Sequence, residues 1–152
     1  MKNPTRAGGD PAIKSDALRQ LAWFRYRVRC FLRFSEKVAR TCGITPQQHQ
    51  LLLGVAGYTG RGWATISELA EFLQERHNAV VGLVQRAAER GLVRKIPGQR
   101  DRRFVKVHLT RRVVTILEKV SRVNIAELRE LQLDILNSPQ SRPPDIPAAQ
   151  GT

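Results

Sequence analysis

The stretch Leu92–Thr110, LVRKIPGQRDRRFVKVHLT, decides the fold of this chain. It holds two short runs joined by a basic loop. In the second run Val105, Val107 and Leu109 alternate with Phe104, Lys106 and His108, the period of a half-buried strand. Pro97-Gly98 supplies turn chemistry between the runs. The segment is therefore a β-hairpin. Between Arg86 and Lys106 stand Arg86, Arg90, Arg94, Lys95, Arg100, Arg102, Arg103 and Lys106, opposed only by Glu89 and Asp101.

Working outward, two short helices precede the hairpin. Thr65 is an N-cap, and Glu68 three residues on completes a capping box. Ile66, Leu69, Ala70 and Leu73 form the buried side of that helix. Gln74–Asn78 makes a turn and opens the next helix, whose apolar face is Val80, Leu83, Val84, Ala87 and Ala88. Gly91 ends it by taking a left-handed position. Two helices at this spacing followed at once by a basic hairpin make a winged helix-turn-helix, a fold that mostly grips DNA. Further upstream, Thr45-Pro46 opens a core helix carrying Leu51, Leu52, Leu53, Val55 and Ala56. Gly57–Trp63 (GYTGRGW) reads as a loop.

Long helices flank this lobe. From Ser15 to about Thr41, Leu18, Leu21, Ala22, Val28, Phe31, Leu32, Ser35, Val38 and Ala39 recur at three- and four-residue spacing. Ser15 or Asp16 caps the start, and Gly43 stops the helix. Thr110 caps a last helix with the stripe Val113, Val114, Leu117, Val120, Ile125, Leu128, Leu131 and Ile135. Both stripes need a partner. Residues 1–14 are expected to be flexible, and residues 137–152, with four of the eight prolines, to be a disordered tail. The fold class expected is mainly α with a small β-hairpin.

The chain has 152 residues and a formal net charge of +13, with 26 Lys/Arg against 13 Asp/Glu. Such an excess favours a polyanionic partner, and its concentration in one hairpin sharpens that reading towards nucleic acid. No apolar run reaches the length of a membrane span, and the N-terminus has no signal-peptide h-region, so a cytoplasmic protein with no membrane partner is expected. Cys30 and Cys42 are then expected to be reduced. They lack metal-ligand spacing, and His49, His77 and His108 are scattered, so neither a metal nor another cofactor is expected. Nothing suggests an enzyme: no nucleophile elbow, no phosphate-cradling Gly loop and no apolar carboxylate pair is present.

Four stretches in order resemble the MarR family of bacterial transcriptional regulators, over roughly Ser15 to Ile135. GITPQQHQLLL (Gly43–Leu53) is similar to the family's second-helix opening, and TISELAEFL (Thr65–Leu73) to the first helix of its helix-turn-helix. RHNAVVGLVQRAAERGLV (Arg76–Val93) is similar to its recognition helix and exit. DRRFVKVHLT (Asp101–Thr110) is similar to its wing. The resemblance implies a MarR-like domain over residues 15–136, with a DNA-binding lobe at about 44–110 and dimerisation through the two long helices. It further implies a homodimer, usually a repressor, relieved by a small-molecule effector or an oxidant. Departures are Ala79, Val81 and Gly82 where the family often carries Ser, Thr and Arg, Gln85 where Asp is frequent, and Val113 where Gly is common.

Under that reading Arg102 and Arg103 are the wing residues for a narrow minor groove, whose negative potential attracts arginine. Arg100 adds a phosphate contact, and Asp101 orients an arginine rather than facing phosphate. Arg76, His77 and Asn78 sit at the end of the recognition helix that reaches base edges. Arg suits guanine and Asn suits adenine; Asn78 is alternatively an N-cap. Ala79 and Val81 can meet a thymine methyl, and Gly82 permits close approach. Gln85 and Arg86 lie about two turns on, with Arg86 as a phosphate clamp. Thr65 is a cap whose helix N-terminus can also hold a phosphate. Trp23, Phe24, Tyr26, Phe31 and Phe34 are core or interface, or alternatively line an effector pocket. Cys30 and Cys42 are small packed residues or, alternatively, oxidant sensors. An RNA-binding or protein-interaction winged helix is the alternative function; A-form RNA hides its major groove from a helix, which favours double-stranded DNA.

Overall fold

A computed structural model describes residues 16–101 and 104–136. Five α-helices and three short strands follow in the order α1 (Asp16–Thr41), α2 (Pro46–Leu53), β1 (Trp63–Thr65), α3 (Ile66–Leu73), α4 (His77–Glu89), β2 (Val93–Pro97), β3 (Val105–Leu109) and α5 (Arg111–Leu136). The expected flexible N-terminus and disordered tail lie outside the described residues.

The caps expected at Thr45 and Thr65 form. Thr45 Oγ1 accepts the Gln48 N–H at 3.1 Å while Gln48 Oε1 accepts the Thr45 N–H at 3.0 Å, with Pro46 opening α2. Thr65 and Glu68 make the same reciprocal pair at the start of α3. Each cap satisfies backbone donors that a helix start leaves orphaned. Gly43 and Gly91 take positive φ (80° and 68°) after α1 and α4, as a left-handed stop requires. Gln74 takes the same conformation after α3 (φ 54°), a non-glycine stop that makes the turn of the helix-turn-helix tight. At the entry of α5 the Thr110 carbonyl accepts from Val113 and Val114, but the Thr110 hydroxyl reaches back to the Gly91 carbonyl at 2.7 Å. That side chain fastens the end of α4 to the end of the hairpin.

Two features depart from the sequence reading between α2 and α3. The chain after Leu53 continues as a turn of π-helix over Gly54–Tyr58, so the expected loop begins later than Gly57. Gly54 lies against α3 so closely that a Cβ there would stand 2.7 Å from Phe72 Cδ1. Trp63–Thr65, expected partly as loop, is a strand. It pairs with β3 rather than with a sequence neighbour, giving an antiparallel sheet in the order β1-β3-β2. Three residues carry too little alternation to be legible alone.

One apolar cluster joins the helix-turn-helix to the sheet and to the roots of the long helices. It includes Ala39, Leu51, Leu52, Val55, Ala64, Leu69, Val80, Val84, Val107, Val113, Leu117 and Val120. α1 and α5 pack on each other. Much of their predicted stripes stays outside that core: Leu21 is 54 % exposed, and Leu18, Leu32, Val114, Ile125 and Leu128 are exposed as well, as is Leu133, which neither stripe included.

Candidate nucleic-acid interface

α4 stands on its buried face of Val80, Val84 and Ala87. Burial of that face turns Arg76, His77, Asn78, Ala79, Val81, Gln85 and Arg86 outward, with Gly82 half-buried among them. Arg76 is the N-cap residue and makes no side-chain cap. Asn78 thus lies within the first turn and does not cap the helix, so its amide is not spent on an N-cap. Val81, 45 % exposed, is an uncovered apolar side chain on the same helix.

A groove of about 370 Å³ runs beside α4, walled by Gln47 and Gln50 of α2, by Glu75, and by Asn78, Ala79, Gly82 and Arg86. A Cβ at Gly82 would stand 3.2 Å from Arg86 Nη1, so the guanidinium folds back beside the glycine. Gly82 costs helix stability relative to alanine, and here it leaves room for that cation.

The cap of α3 is reinforced. Glu68 Oε2 accepts the Thr65 N–H at 2.8 Å and Arg61 Nη2 pairs with Glu68 Oε1 at 2.6 Å. The backbone bond from Thr65, followed by Arg61, holds the Glu68 carboxyl below its ordinary pKa. The Thr65 hydroxyl accepts from Glu68 N and donates to Glu68 Oε2, so its side chain is committed to the cap.

Gln85 faces the hairpin. Its Nε2 donates to Glu89 Oε1 at 2.9 Å, and its Oε1 accepts from Lys95 Nζ on β2. A side-chain amide thus ties this helix to the wing. At the wing turn Gly98 N donates to the Phe104 carbonyl at 2.6 Å, and Phe104 N to the Asp101 carbonyl at 3.0 Å. A Cβ at Gly98 would meet that Asp101 oxygen at 2.7 Å, so the turn admits only glycine without a shift. Arg100 is exposed on this turn. Arg102 and Arg103 lie outside the described residues.

Three basic residues serve the lobe in ways that their charge alone did not signal. Arg90 donates to Gln48 Oε1 at 2.7 Å and to the Gly43 carbonyl at 3.0 Å, bracing α4 against the start of α2. Arg61 stacks over Trp63, with Cζ 4.0 Å from the ring centroid, and Lys106 Nζ lies 4.4 Å from the same ring. Only the Trp within a Gly-rich segment, next to an Arg two residues earlier, hinted at this. Among the described residues, the ion pairs Asp16–Arg19, Arg27–Asp134, Glu36–Arg40 and Arg61–Glu68 leave Arg76, Arg86, Arg94 and Lys106 without a carboxylate partner. Among them, no group of three His, Cys, Asp or Glu side chains is placed to hold a metal, and no helix is long and apolar enough to cross a membrane.

Helix-turn-helix, three-stranded sheet and hairpin together define a winged helix-turn-helix protein. Within that class residues 43–103 match the model of the MarR family, which bears out the resemblance read from the sequence. The fold is similar to that of AbsC, a MarR family transcriptional regulator from Streptomyces coelicolor: 22% identity, TM-score 0.64, covering 78% of this chain and 80% of that one. It is also similar to a mutant MarR from E. coli complexed with operator DNA (20% identity, TM-score 0.62, 83% and 87% covered). A mutant MepR from S. aureus bound to an oligodeoxyribonucleotide is a third similar structure (18% identity, TM-score 0.59, 74% and 80% covered). No curated protein sequence matches the chain.

Proposed function

We propose that this chain is a homodimeric, sequence-specific DNA-binding regulator of transcription, acting as a repressor on a pseudo-palindromic operator. The observation that carries the reading is the exposed N-terminal turn of α4. Arg76, His77 and Asn78 stand there free of caps, beside Val81 and Gly82, on the second helix of a helix-turn-helix. That helix end is the one that enters a major groove in proteins of this class. Arg86 and Arg100 supply phosphate contacts, Arg102 and Arg103 enter the minor groove, and Asp101 orients an arginine of the wing. The exposed apolar faces of α1 and α5 support a two-fold partner, and two-fold symmetry sets half-sites about 10 bp apart. The similar MarR and MepR structures were obtained with DNA, which supports the same partner here. The setting is the cytoplasm, at the nucleoid.

The test is a selection of genomic fragments by the purified protein at physiological salt with excess competitor DNA, read by sequencing. A recurring pseudo-palindrome is expected. Binding that enriches no sequence and vanishes as salt rises would reduce the activity to charge-driven association and sink this reading.

A further inference from the structure

The sheet has two faces, and the pairing register assigns every residue to one. Cross-strand partners share a face and neighbours alternate. Ala64, Val107 and Val93 are buried against the helices, so their face is the inner one. The outer face then carries two rows. Trp63, His108 and Arg94 are in register across the three strands, and so are Thr65, Lys106 and Ile96. Phe104 continues this face towards the wing turn. Ile96 is 42 % and Phe104 46 % exposed, and no described helix covers them.

The chemistry of this face is cationic and aromatic. Trp63 carries the Arg61 guanidinium and the Lys106 ammonium over its ring, with Phe104 edge-on at 6.5 Å and His108 tilted at 6.3 Å. Arg94 stands in the same row as Trp63. Glu68, at the start of α3 beside this face, is paired with Arg61. An indole face attracts a cation through its quadrupole. Holding Lys106 there removes rotamer freedom that a free lysine would lose on meeting an anion, which lowers the cost of binding. The same stacking covers the indole with cations, so a nucleic-acid base gains little room on Trp63. The surface suits phosphates rather than bases.

We propose that the outer face of the wing sheet, through Arg94, Lys106 and the Trp63-stacked Arg61, is a second DNA-backbone contact that grips the duplex flanking the operator. The inference rests on the regulator reading for its geometry. Lys106 lies in the row nearer the wing turn and Arg94 in the row behind it, so positive charge climbs from the wing turn up the outer face. A wing seated at the edge of a site presents this face to the duplex that continues beyond. The contact adds affinity without adding sequence information.

The experiment compares two duplexes, the operator core alone and the core with ten further base pairs on each side, against the full chain and its Arg94→Gln/Lys106→Gln variant. Wild type is expected to bind the longer duplex several-fold more tightly and with a steeper salt slope, by about 0.9 per added phosphate contact. The variant is expected to lose that gain yet bind the core as wild type does, which also shows that it is folded. Flanks built with neutral methylphosphonate linkages are expected to give no gain. Equal affinity for both lengths in wild type, a gain that survives in the variant, or a gain from neutral flanks each overturns the proposal. If no operator is preferred at all, the comparison is repeated on a duplex of arbitrary sequence. A length gain that depends on Arg94 and Lys106 there keeps this contact while the regulator reading falls.

Discussion

Lys95 of β2 donates from Nζ to Oε1 of Gln85 on α4, so the wing is fastened to the helix beside it by a lysine–amide bond. The bond lies at the surface, and its net worth to folding is about 1 kcal/mol or less. Its consequence is orientation, because Gln85 is held from behind by Glu89. Gln85→Ala is expected to change the melting temperature little but to speed amide exchange in Val93–Ile96 and weaken DNA binding. Gln85→Asp, which can pair with Lys95 by charge, is expected to restore both. Exchange rates unchanged in Gln85→Ala would show that the hairpin is held by its other contacts.

Gly82 tests whether stability and binding oppose each other on α4. It lies inside α4, where alanine is favoured by roughly 0.5–1 kcal/mol, and an added Cβ meets only the flexible end of Arg86. Gly82→Ala is therefore expected to raise resistance to urea while reducing operator affinity, because the new methyl displaces the Arg86 guanidinium and holds the helix off the base edges. A variant both more stable and equally tight in binding would remove Gly82 from the interface.

Both capping boxes are open to direct measurement. Thr65→Ala and Thr45→Ala each delete a reciprocal pair and are each expected to cost about 1 kcal/mol in denaturant unfolding. The two sites share no cap residue, so the double variant is expected to be nearly additive. Of the two, Thr65→Ala is also expected to weaken DNA binding, since it frays the helix on which α4 is seated.

Acid is expected to destabilise the protein through His49. This side chain is almost fully buried, its Nε2 has no hydrogen-bond partner among the described residues, and burial lowers its pKa below 6.5. The folded state resists the proton that the unfolded chain takes up near pH 6.5. Stability is accordingly full above that pH and falls as pH drops from 6.5 towards the lowered folded value. Urea midpoints at pH 7.5 and 5.5 are expected to differ for wild type and to differ less for His49→Gln, and equal slopes in the two proteins would exclude His49 as the cause.

The exposed apolar faces of the long helices predict the oligomer. Leu21→Arg/Leu133→Arg is expected to convert a sedimenting dimer to monomers and to lower operator affinity steeply, since half-sites then bind singly. A wild-type chain that sediments as a monomer at micromolar concentration would end the two-fold reading of the operator.

What the sequence determined was whatever acts over a few residues. The Thr-x-x-Glu signal placed the start of α3 and Thr45-Pro46 that of α2, Gly43 and Gly91 placed two stops, and the alternation of Val105, Val107 and Leu109 placed the hairpin. Each is a local balance of capping, backbone sterics and side-chain period. What only the tertiary structure decided depends on partners distant along the chain. β1 exists because Ala64 is carried to Val107, and the register that pairs them also brings Trp63 beside Lys106. Arg90, one of many arginines in the sequence, became a brace because folding delivered Gln48 to it across 42 residues. The exposed leucines of α1 and α5 show the same division: periodicity marked them as apolar, but only the packing of the rest showed which of them remained uncovered.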